Sequence, residues 1–377
     1  MRILLINYEF PPLGGGAGNA TANIARGLVG LGDCVQILTS HYRGLPWRET
    51  QGGYCVRRCP AIRRRLDRST PVEMTSFILG GILPAIATGR TWQPDVGCAF
   101  FGLPSGPLAY LLKRFYRVPY IVSLRGGDVP GFLPADLGSY HRLTRSITRA
   151  IWQSAGAVVA NSAGLGRLAQ DTWPEAPLVV IPNGVDTDLF TPDISQDKNE
   201  WLRLLYVGRL VRSKGVDLVL EALRDLPRVR LRIVGDGPER GSLTLLARDF
   251  GIEDRVEFSG WLGRPALPQQ YHWANAFVLL SEEEGMSNVL LEAMASGLPI
   301  IASDNYANRE LVEPGENGRL VSSRDRSELA QAIRQLLDDA DLRRRWGANG
   351  RRAALARNWA SVATEYHNVL SRVAARL

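Results

Sequence analysis

Two cations beside one short loop could hold a diphosphate. Arg209 and Lys214 flank a loop that follows a buried apolar run and leads into a helical pattern. Arginine supplies a planar fork of donors and lysine a point charge, so the two could neutralise a leaving pyrophosphate without a metal ion. A pair of solvated surface cations would show the same spacing, and both interpretations stay open on spacing alone.

A second group of reactive residues lies where an apolar run ends in three acidic residues, Glu282–Glu284. A helix is predicted to begin near Ser287, a residue type that caps helices well. The N–H groups of Gly285–Val289 would then suit a phosphate or a sugar hydroxyl. Glu292, two turns beyond Glu284, would present a second carboxylate to a ribose diol. An acidic helix entry favoured by the macrodipole is the alternative for the acidic run.

A glycine-rich loop, Pro11–Gly18, follows the first apolar run of the chain. Glycines let a backbone approach a ligand closely, and the helix predicted after them offers unpaired N–H groups to an anion. The spacing differs from the dinucleotide fingerprint G-x-G-x-x-G, because Gly14-x-Gly16 is followed by Asn19 at the third site. A tight turn chosen for packing is the alternative.

Strands and helices must position these three loops. Short apolar runs alternate with amphipathic stretches, which indicates doubly wound α/β domains with parallel strands buried on both faces. Ligands of such sheets bind outside the carboxyl ends of the strands, where all three loops fall. The predicted strands are Ile3–Asn7, Val35–Thr39, Val96–Phe100, Tyr120–Leu124, Val158–Ala160, Val179–Ile181, Leu204–Gly208, Leu231–Val234, Val256–Phe258, Phe277–Leu280 and Pro299–Ala302.

The length of 377 residues fits two domains. The turn-rich stretch Ile181–Asp186, followed by the polar segment Thr191–Glu200, predicts the boundary. We therefore expect a first domain over 1–183 and a second over 184–357, with a C-terminal helix over 358–377 joining the first.

Composition narrows the class of protein. The chain is 45% hydrophobic and 22% charged, which is typical of a globular protein and excludes general disorder. The four cysteines are too few and scattered for a disulfide framework, so we expect reduced thiols. Neither a metal nor another cofactor is expected. The N-terminal run is interpreted as a buried strand instead of a signal peptide. Phe77–Ala87 approaches a membrane span most closely but is too short.

Positive charge is concentrated in the first half. The net charge is +7; residues 1–183 hold 19 Lys and Arg against 10 Asp and Glu, and residues 184–377 hold 26 against 28. The segment Arg57–Arg68 is either a solvated loop or a surface for an anionic partner. With Phe77–Ala87 it could rest on anionic lipid headgroups, although a core helix is the alternative. We expect a cytoplasmic protein at the inner face of the membrane, and no nucleic-acid partner because aromatic residues do not interleave with the basic ones.

Together these features resemble the retaining glycosyltransferases of family 4, which have the GT-B fold. The resemblance covers nearly the whole chain and rests on six features in order: Gly14–Gly16, Pro182–Asp186, Gly208-Arg209 with Lys214, Gly235–Pro238, Phe258–Gly260 and Glu284-x7-Glu292. It implies an α/β fold of two Rossmann-like domains with parallel sheets facing a central cleft. It also implies transfer of a hexose from a UDP- or GDP-type sugar to a glycan, lipid-linked glycan or small-molecule acceptor, in cell-surface polysaccharide or glycolipid synthesis.

The resemblance also implies a role for each matching residue. Arg209 and Lys214 would hold the diphosphate, Glu292 the ribose, and Glu284 would face the transferred sugar. The remaining donor contacts would come from the backbone of Gly260, Trp261, Gly285, Met286, Ser287, Asn288 and Val289, and from Gly16 closing over the phosphates. Gly14, Gly15 and Asn19 would line the acceptor side.

One position departs from the family pattern. The family often has a histidine after a first-domain strand, and the matching stretch here places Arg125 there. Arg125 is expected to bind an anionic group of donor or acceptor. Asp128 would orient Arg125 or accept a hydrogen bond from the acceptor, with a turn-forming aspartate as the alternative.

Three other functions stay open on the sequence. An NAD-dependent oxidoreductase would need a cleaner glycine fingerprint and an acidic ribose reader where Thr39-Ser40 stands. Another GT-B enzyme, an epimerase or a phosphorylase, would share the architecture, and a phosphorylase would need a pyridoxal lysine that is not identifiable. A non-enzymatic basic binding protein would fit the pI of about 9.4.

Overall fold

The computed structural model describes residues 1–66, 69–132, 134–193, 201–282, 284–322 and 325–375, without the side chains of 134–136. The chain divides into two compact units: Met1–Asn183 with Trp359–Leu377, and Gly184–Asn358. Some residues named above lie outside the described ones: Asp67 and Arg68 of the basic segment, 194–200 of the polar segment, Glu283 of the acidic run, and 376–377 of the C-terminal helix.

The first unit is built on one eight-stranded sheet in the order β3-β4-β2-β1-β5-β6-β7-β8. All neighbours are parallel except β3, which is antiparallel to β4. The strands are β1 (Arg2–Ile6), β2 (Cys34–Ser40), β3 (Arg48–Gln51), β4 (Tyr54–Cys59), β5 (Val96–Phe100), β6 (Tyr120–Leu124), β7 (Ala157–Ala160) and β8 (Leu178–Val180). The helices are α1 (Gly16–Gly30), α2 (Pro71–Thr91), α3 (Gly106–Tyr116), α4 (Pro134–Ser154), α5 (Ala163–Thr172) and, after the second unit, α12 (Trp359–Ala374).

Two apolar cores cover the two faces of this sheet. Successive residues of β1 point to opposite faces, so Leu4 and Ile6 enter one core while Ile3 and Leu5 enter the other. The second core includes Tyr366 of α12, which packs beside α1, β5 and β6. The last helix therefore completes the first unit.

The second unit has a six-stranded parallel sheet in the order β11-β10-β9-β12-β13-β14. Its strands are β9 (Leu202–Val207), β10 (Val229–Val234), β11 (Val256–Gly260), β12 (Ala276–Leu279), β13 (Ile300–Ser303) and β14 (Gly318–Val321). Its helices are α6 (Val216–Leu223), α7 (Arg240–Asp249), α8 (Leu267–Trp273), α9 (Asn288–Ala295), α10 (Arg326–Asp338) and α11 (Ala340–Leu355). One continuous apolar core fills this unit.

Both sheets are doubly wound, as predicted, and each predicted strand is present within a residue or two. Three strands were missed, β3, β4 and β14. The loop alternative for the basic segment is wrong at Arg57 and Arg58, because both lie in β4, where the sequence Tyr-Cys-Val-Arg-Arg-Cys hides the apolar pattern. Arg58 is buried and forms an ion pair with Glu49 of β3.

Helix α2 is longer than the predicted apolar stretch Phe77–Ala87. Thr70 and Glu73 form a capping box at its start, and the helix is long and apolar enough to cross a membrane by length and composition. One face, which includes Phe77 and Ala85, is buried, and the helix packs on α3, β2 and β4. The other face leaves Leu79 and Leu83 65% and 76% exposed. The core-helix interpretation therefore holds for one face of α2.

Candidate functional site

The carboxyl edge of the second sheet gathers the predicted donor residues. From β9 the chain winds to β10 on one side and later to β12 on the other, so the loops after β9 and β12 flank the switch point of this sheet. Ligands of open parallel sheets bind at such a point. Lys214 lies on the first of these loops and Glu284 on the second.

Lys214 and Glu284 form an ion pair at this switch point. Glu284 also accepts a hydrogen bond from the Ser281 hydroxyl at 2.8 Å. The two loops are tied together by the Glu282 N–H, which donates to the Ser213 carbonyl at 2.9 Å. Both charged side chains are about one-fifth exposed, so they are accessible to a ligand at this edge. The structure thus brings together the residues assigned to diphosphate and sugar.

Arg209 lies on the same loop with its side chain exposed. Its carbonyl accepts a hydrogen bond from the Tyr206 hydroxyl at 3.0 Å, which fixes the backbone while leaving the guanidinium outside. Close backbone packing forms the floor beside it: a Cβ on Gly235 would lie 1.9 Å from the Gly208 carbonyl oxygen, and Gly235 has φ +138°. Glycine is therefore required where the β9 and β10 loops meet.

The start of α9 is formed as predicted. Ser287 is its N-cap and accepts from the Leu290 N–H at 3.4 Å. Gly285, Met286 and Ser287 are buried. In the next turn, half-buried Asn288 and Val289 begin the helix. Backbone amides at this position stabilise negative charge on a ligand.

Glu292 lies inside the second unit beside two partners. The Tyr271 hydroxyl donates to its Oε2 at 2.9 Å, and Arg264 Nη1 lies 3.8 Å from its Oε1. Burial raises the pKa of Glu292 to about 7, against the opposing effects of Arg264 and Tyr271. A carboxyl group that changes charge near neutral pH can accept hydrogen bonds from a ribose diol when it is ionised.

Gly260 ends β11 at the same edge, and Trp261 follows it. Gly260 has φ +73° and its carbonyl accepts from the Gly235 N–H at 2.8 Å. The Trp261 side chain is 75% exposed. The chain therefore turns sharply next to the glycine floor and presents an uncovered indole, a surface on which a planar base could stack.

In the first unit, the glycine loop is held by a network that the sequence did not reveal. Glu9 lies against Gly14, whose Cβ would come within 2.6 Å of the carboxylate, and accepts a hydrogen bond from the Gly15 N–H. Arg63 Nη2 lies 3.7 Å from Glu9, and the Gly14 N–H donates to the Leu66 carbonyl at 2.7 Å. The Arg63 side chain is 2% exposed, so this part of the predicted basic surface faces inward.

Gly15 and Gly16, at the start of α1, stay exposed. Asn19 is half-buried and its N–H donates to the Gly15 carbonyl at 3.2 Å. The network around Glu9 thus fixes the near side of the loop and leaves the first amides of a 15-residue helix accessible. Accessible amides at a helix start suit an anionic group.

Arg125 and Asp128 follow β6 and are engaged within the first unit. Arg125 donates to Asn183 Oδ1 at 2.8 Å and to the Tyr366 hydroxyl at 3.0 Å, and its guanidinium lies 4.8 Å from the Phe100 ring centre. The buried Asp128 carboxylate accepts the N–H groups of Arg125, Gly126 and Gly102. This geometry favours the turn-forming alternative for Asp128. It also shows Arg125 joining β6, the end of the first segment and α12.

Two family descriptions match nearly the whole chain. "Glycosyl transferase 4-like domain" matches residues 15–184, and "Glycosyl transferases group 1" matches residues 191–353. The chain is 32% identical over 269 residues to the lipopolysaccharide core biosynthesis glycosyltransferase LpsE of Rhizobium meliloti, covering 69% of this chain and 71% of that one. The chain belongs to glycosyltransferase family 4. It is a retaining enzyme that uses a nucleotide-sugar donor.

Two further comparisons cover at least 98% of this glycosyltransferase. It is 28% identical over 398 residues to a GDP-mannose-dependent alpha-(1-6)-phosphatidylinositol monomannoside mannosyltransferase of Mycobacterium tuberculosis, covering 98% of both chains. Among solved structures, a sucrose-phosphate synthase from Thermosynechococcus elongatus matches with a TM-score of 0.88, 24% identity and 100% coverage of both chains. The GT-B fold is thereby confirmed. The oxidoreductase alternative receives no support.

Five residues of the glycosyltransferase that support its site were missed in the sequence: Glu9, Arg63, Arg264, Tyr271 and Ser281. Ser281 lies within the motif that contains Glu284, and Glu9 lies two residues before the glycine loop, so proximity in the chain was a usable signal for both. Arg63 and Tyr271 reach their partners across 54 and 21 positions of the chain. Their roles depend on the fold.

We expect Arg125→Ala to lower the stability of the glycosyltransferase by roughly 2–4 kcal/mol, because Tyr366, Asn183 and the Phe100 face lose a shared partner. Urea denaturation, followed through the unfolding transition of the first unit, measures this loss of unfolding free energy. Tyr366→Phe, which removes one hydroxyl, should lose about 1 kcal/mol. If Arg125→Ala unfolds like the wild type and only its rate of sugar transfer is lower, the guanidinium contacts a ligand instead of supporting the fold.

Proposed function

We propose that this glycosyltransferase moves a hexose from a UDP- or GDP-type sugar to the hydroxyl of a sugar-terminated, lipid-linked acceptor, without a metal ion. The observation that carries the proposal is the Lys214–Glu284 ion pair at the switch point of the second sheet. Two named relatives act in glycolipid or lipopolysaccharide synthesis, which supports this kind of acceptor.

The chemistry proposed for this site needs cations at the leaving group. As the bond between the sugar C1 and the β-phosphate oxygen breaks, negative charge grows on the diphosphate and positive charge on the sugar. Lys214, Arg209 and the first amides of α9 would stabilise the diphosphate, and fixed charges of this kind act most strongly where charge develops. The acceptor oxygen bonds to C1 on the face the diphosphate leaves, and its proton passes to a diphosphate oxygen.

A nucleotide panel tests the donor and the metal independence. Thermal stability would be measured with UDP, GDP, their hexose derivatives and NAD, each with and without EDTA. The proposal expects stabilisation by a UDP- or GDP-type ligand, unchanged by EDTA and lost in Lys214→Ala. Stabilisation that EDTA abolishes would contradict the metal-independent part, and stabilisation by none of the nucleotides would contradict the donor assignment.

We further propose that the first unit rests on the cytoplasmic face of an anionic membrane. The exposed face of α2 carries Val72, Leu79 and Leu83, spaced seven and four residues apart on one side of the helix. The segment 62–66 is tied along the start of α2, because the Ile62 N–H donates to Ser76 and the Arg64 N–H to Glu73. That segment adds exposed Ile62 and Leu66.

Basic residues surround this apolar face. Arg64 and Arg65 precede α2 and Arg90 lies in its last turn, all exposed. Each basic residue near an anionic leaflet contributes about 1 kcal/mol, and apolar side chains add burial energy on top of that. An apolar stripe with a basic rim is typical of a surface that lies in the headgroup region.

We expect the double change Leu79→Glu with Leu83→Glu to reduce binding to phosphatidylglycerol vesicles at least tenfold, because two leucines no longer enter the interface and two negative charges repel it. Vesicle flotation measures the bound fraction. Leu245→Glu, at an exposed leucine of the second unit, is the matched control and should bind as the wild type does. Equal loss in both variants, or none in either, would contradict the assignment of this face.

A further inference from the structure

An aromatic pair stands on the loop between β2 and β3. The rings of His41 and Trp47 are stacked, with centroids 3.8 Å apart and planes 12° apart. Trp47 is 54% exposed, although it is among the largest side chains of the unit. The pair thus offers a flat aromatic face to solvent while the other face of the indole is covered by the imidazole.

The loop holds this pair in one place. His41 Nε2 lies 2.9 Å from the Leu45 carbonyl, and the His41 N–H donates to the Cys59 carbonyl at 2.8 Å. Arg58 secures the other end, since its N–H donates to the Trp47 carbonyl at 2.9 Å and its buried guanidinium to the Pro46 carbonyl at 2.7 Å. The buried Arg58 thus holds the backbone on both sides of the exposed Trp47 side chain. The indole ring therefore loses little conformational entropy when a ligand packs on it.

The pair lies at the carboxyl edge of the first sheet, where ligands of parallel sheets bind. His41 directly follows β2, which lies between β4 and β1. Arg63, after β4, reaches Glu9, after β1, so this ion pair lies at the same carboxyl edge of the sheet as His41. The aromatic pair and the network that holds the glycine loop therefore lie at the same edge of the sheet.

We propose that the His41–Trp47 pair is the platform on which the terminal sugar ring of the acceptor packs, an assignment that rests on the proposed function. A pyranose has an apolar face of C–H groups that fits flat on an aromatic ring, and its hydroxyls point sideways to polar neighbours. Ligand sites commonly combine an aromatic wall with a few fixed polar groups. The Glu9 carboxylate at the same edge, 13% exposed, is a group able to accept from such a hydroxyl.

Saturation-transfer NMR with the methyl α-glycosides of mannose, glucose and galactose tests the platform in the presence of UDP or GDP. The wild type should bind at least one glycoside, with transfer to its ring C–H protons. Trp47→Ala should weaken that binding about tenfold, the loss expected for one aromatic contact face, and Trp47→Phe should retain most of it. Phe115→Ala removes an aromatic residue of α3 that is 70% exposed, and should bind as the wild type does.

A second pair of variants separates stacking from folding. His41→Phe keeps a ring beneath Trp47 and should keep the glycoside bound, whereas His41→Ala should weaken it. Binding of no glycoside to the wild type, or equal binding by Trp47→Ala, would overturn the platform. Loss of vesicle binding in Trp47→Ala with unchanged glycoside binding would also overturn it and assign the ring to a membrane contact. Failure of the wild type to bind any nucleotide would instead contradict the proposed function.

Discussion

Replacing Lys214 by alanine is expected to lower kcat by at least about hundredfold. Lys214 lies on the loop that also contains Arg209, and Glu284 holds its ammonium group at the switch point. In the reaction it would leave the carboxylate for the diphosphate, whose charge grows as the glycosidic bond breaks. Loss of one preorganised charge contact of this kind costs ~10²–10³ in rate. Single-turnover transfer from the donor measures the chemical step directly.

Arg212→Ala is the matched control for Lys214→Ala. Arg212 belongs to the same short turn, Arg212–Lys214, and its side chain is exposed. The control should keep kcat within about twofold of the wild type, because an exposed charge contributes little through solvent. If Lys214→Ala were as active as Arg212→Ala, the leaving group would have to be stabilised elsewhere, by Arg209 or by the amides of α9.

The sequence predicted the second unit better than the first. In the second unit the loops that carry Lys214 and Glu284 follow mainly apolar strands, β9 and β12, so the motif and the strand end coincide there. The short apolar runs were sufficient there, because strands buried on both faces need no alternation. Ser287 was recognised as the cap of α9 from its residue type and position alone.

The edge of the first sheet was misinterpreted for a physical reason. Strand β4 pairs with β3 as well as β2, and Arg58 in β4 is buried because Glu49 and the Pro46 carbonyl take up its charge and donors. A buried arginine looks like a surface arginine in a sequence, since the partners that allow its burial are nine and twelve residues away. The same holds for Arg63, which turns inward to Glu9 instead of facing solvent.

Arg125 shows how far a family pattern can be carried. The pattern indicated the correct strand end, and a family histidine there suggests contact with the sugar. In this chain the guanidinium has acquired partners of its own at Asn183 and Tyr366, both far away in the sequence. Positions of that kind cannot be assigned from spacing, because the residues that decide the role lie on α12 and at the end of the first segment.

Donor affinity is expected to increase roughly tenfold between pH 6 and pH 8, because Glu292 becomes ionised over that range. Burial raises the pKa of Glu292 to about 7, so the free enzyme holds much of this carboxyl group in its protonated form at neutral pH. The ionised carboxylate can accept a hydrogen bond from each of the two ribose hydroxyls. The protonated carboxyl group carries an O–H donor, which needs an acceptor of its own. Titration of the nucleotide by calorimetry across pH 6–8 measures the dependence.

The stability of the free enzyme should change with pH in the opposite sense. The folded pKa of Glu292 lies above its ordinary value of 4.5, so the folded state binds more protons than the unfolded state between about pH 4.5 and 7. Stability contributed by this group is therefore greatest below that window and falls by up to ~3 kcal/mol as the pH rises through it. Binding of the donor, which favours the ionised form, should offset the loss.

Two variants assign both effects to Glu292. Glu292→Gln cannot ionise, so its donor affinity should no longer vary with pH in this range and should lie about tenfold below the wild type at pH 8. Tyr271→Phe removes a hydrogen bond that lowers the pKa of Glu292, so its affinity profile should move to higher pH. A profile that persists in Glu292→Gln, or does not move in Tyr271→Phe, would place the titrating group elsewhere than at Glu292, on the nucleotide or on another group of the enzyme.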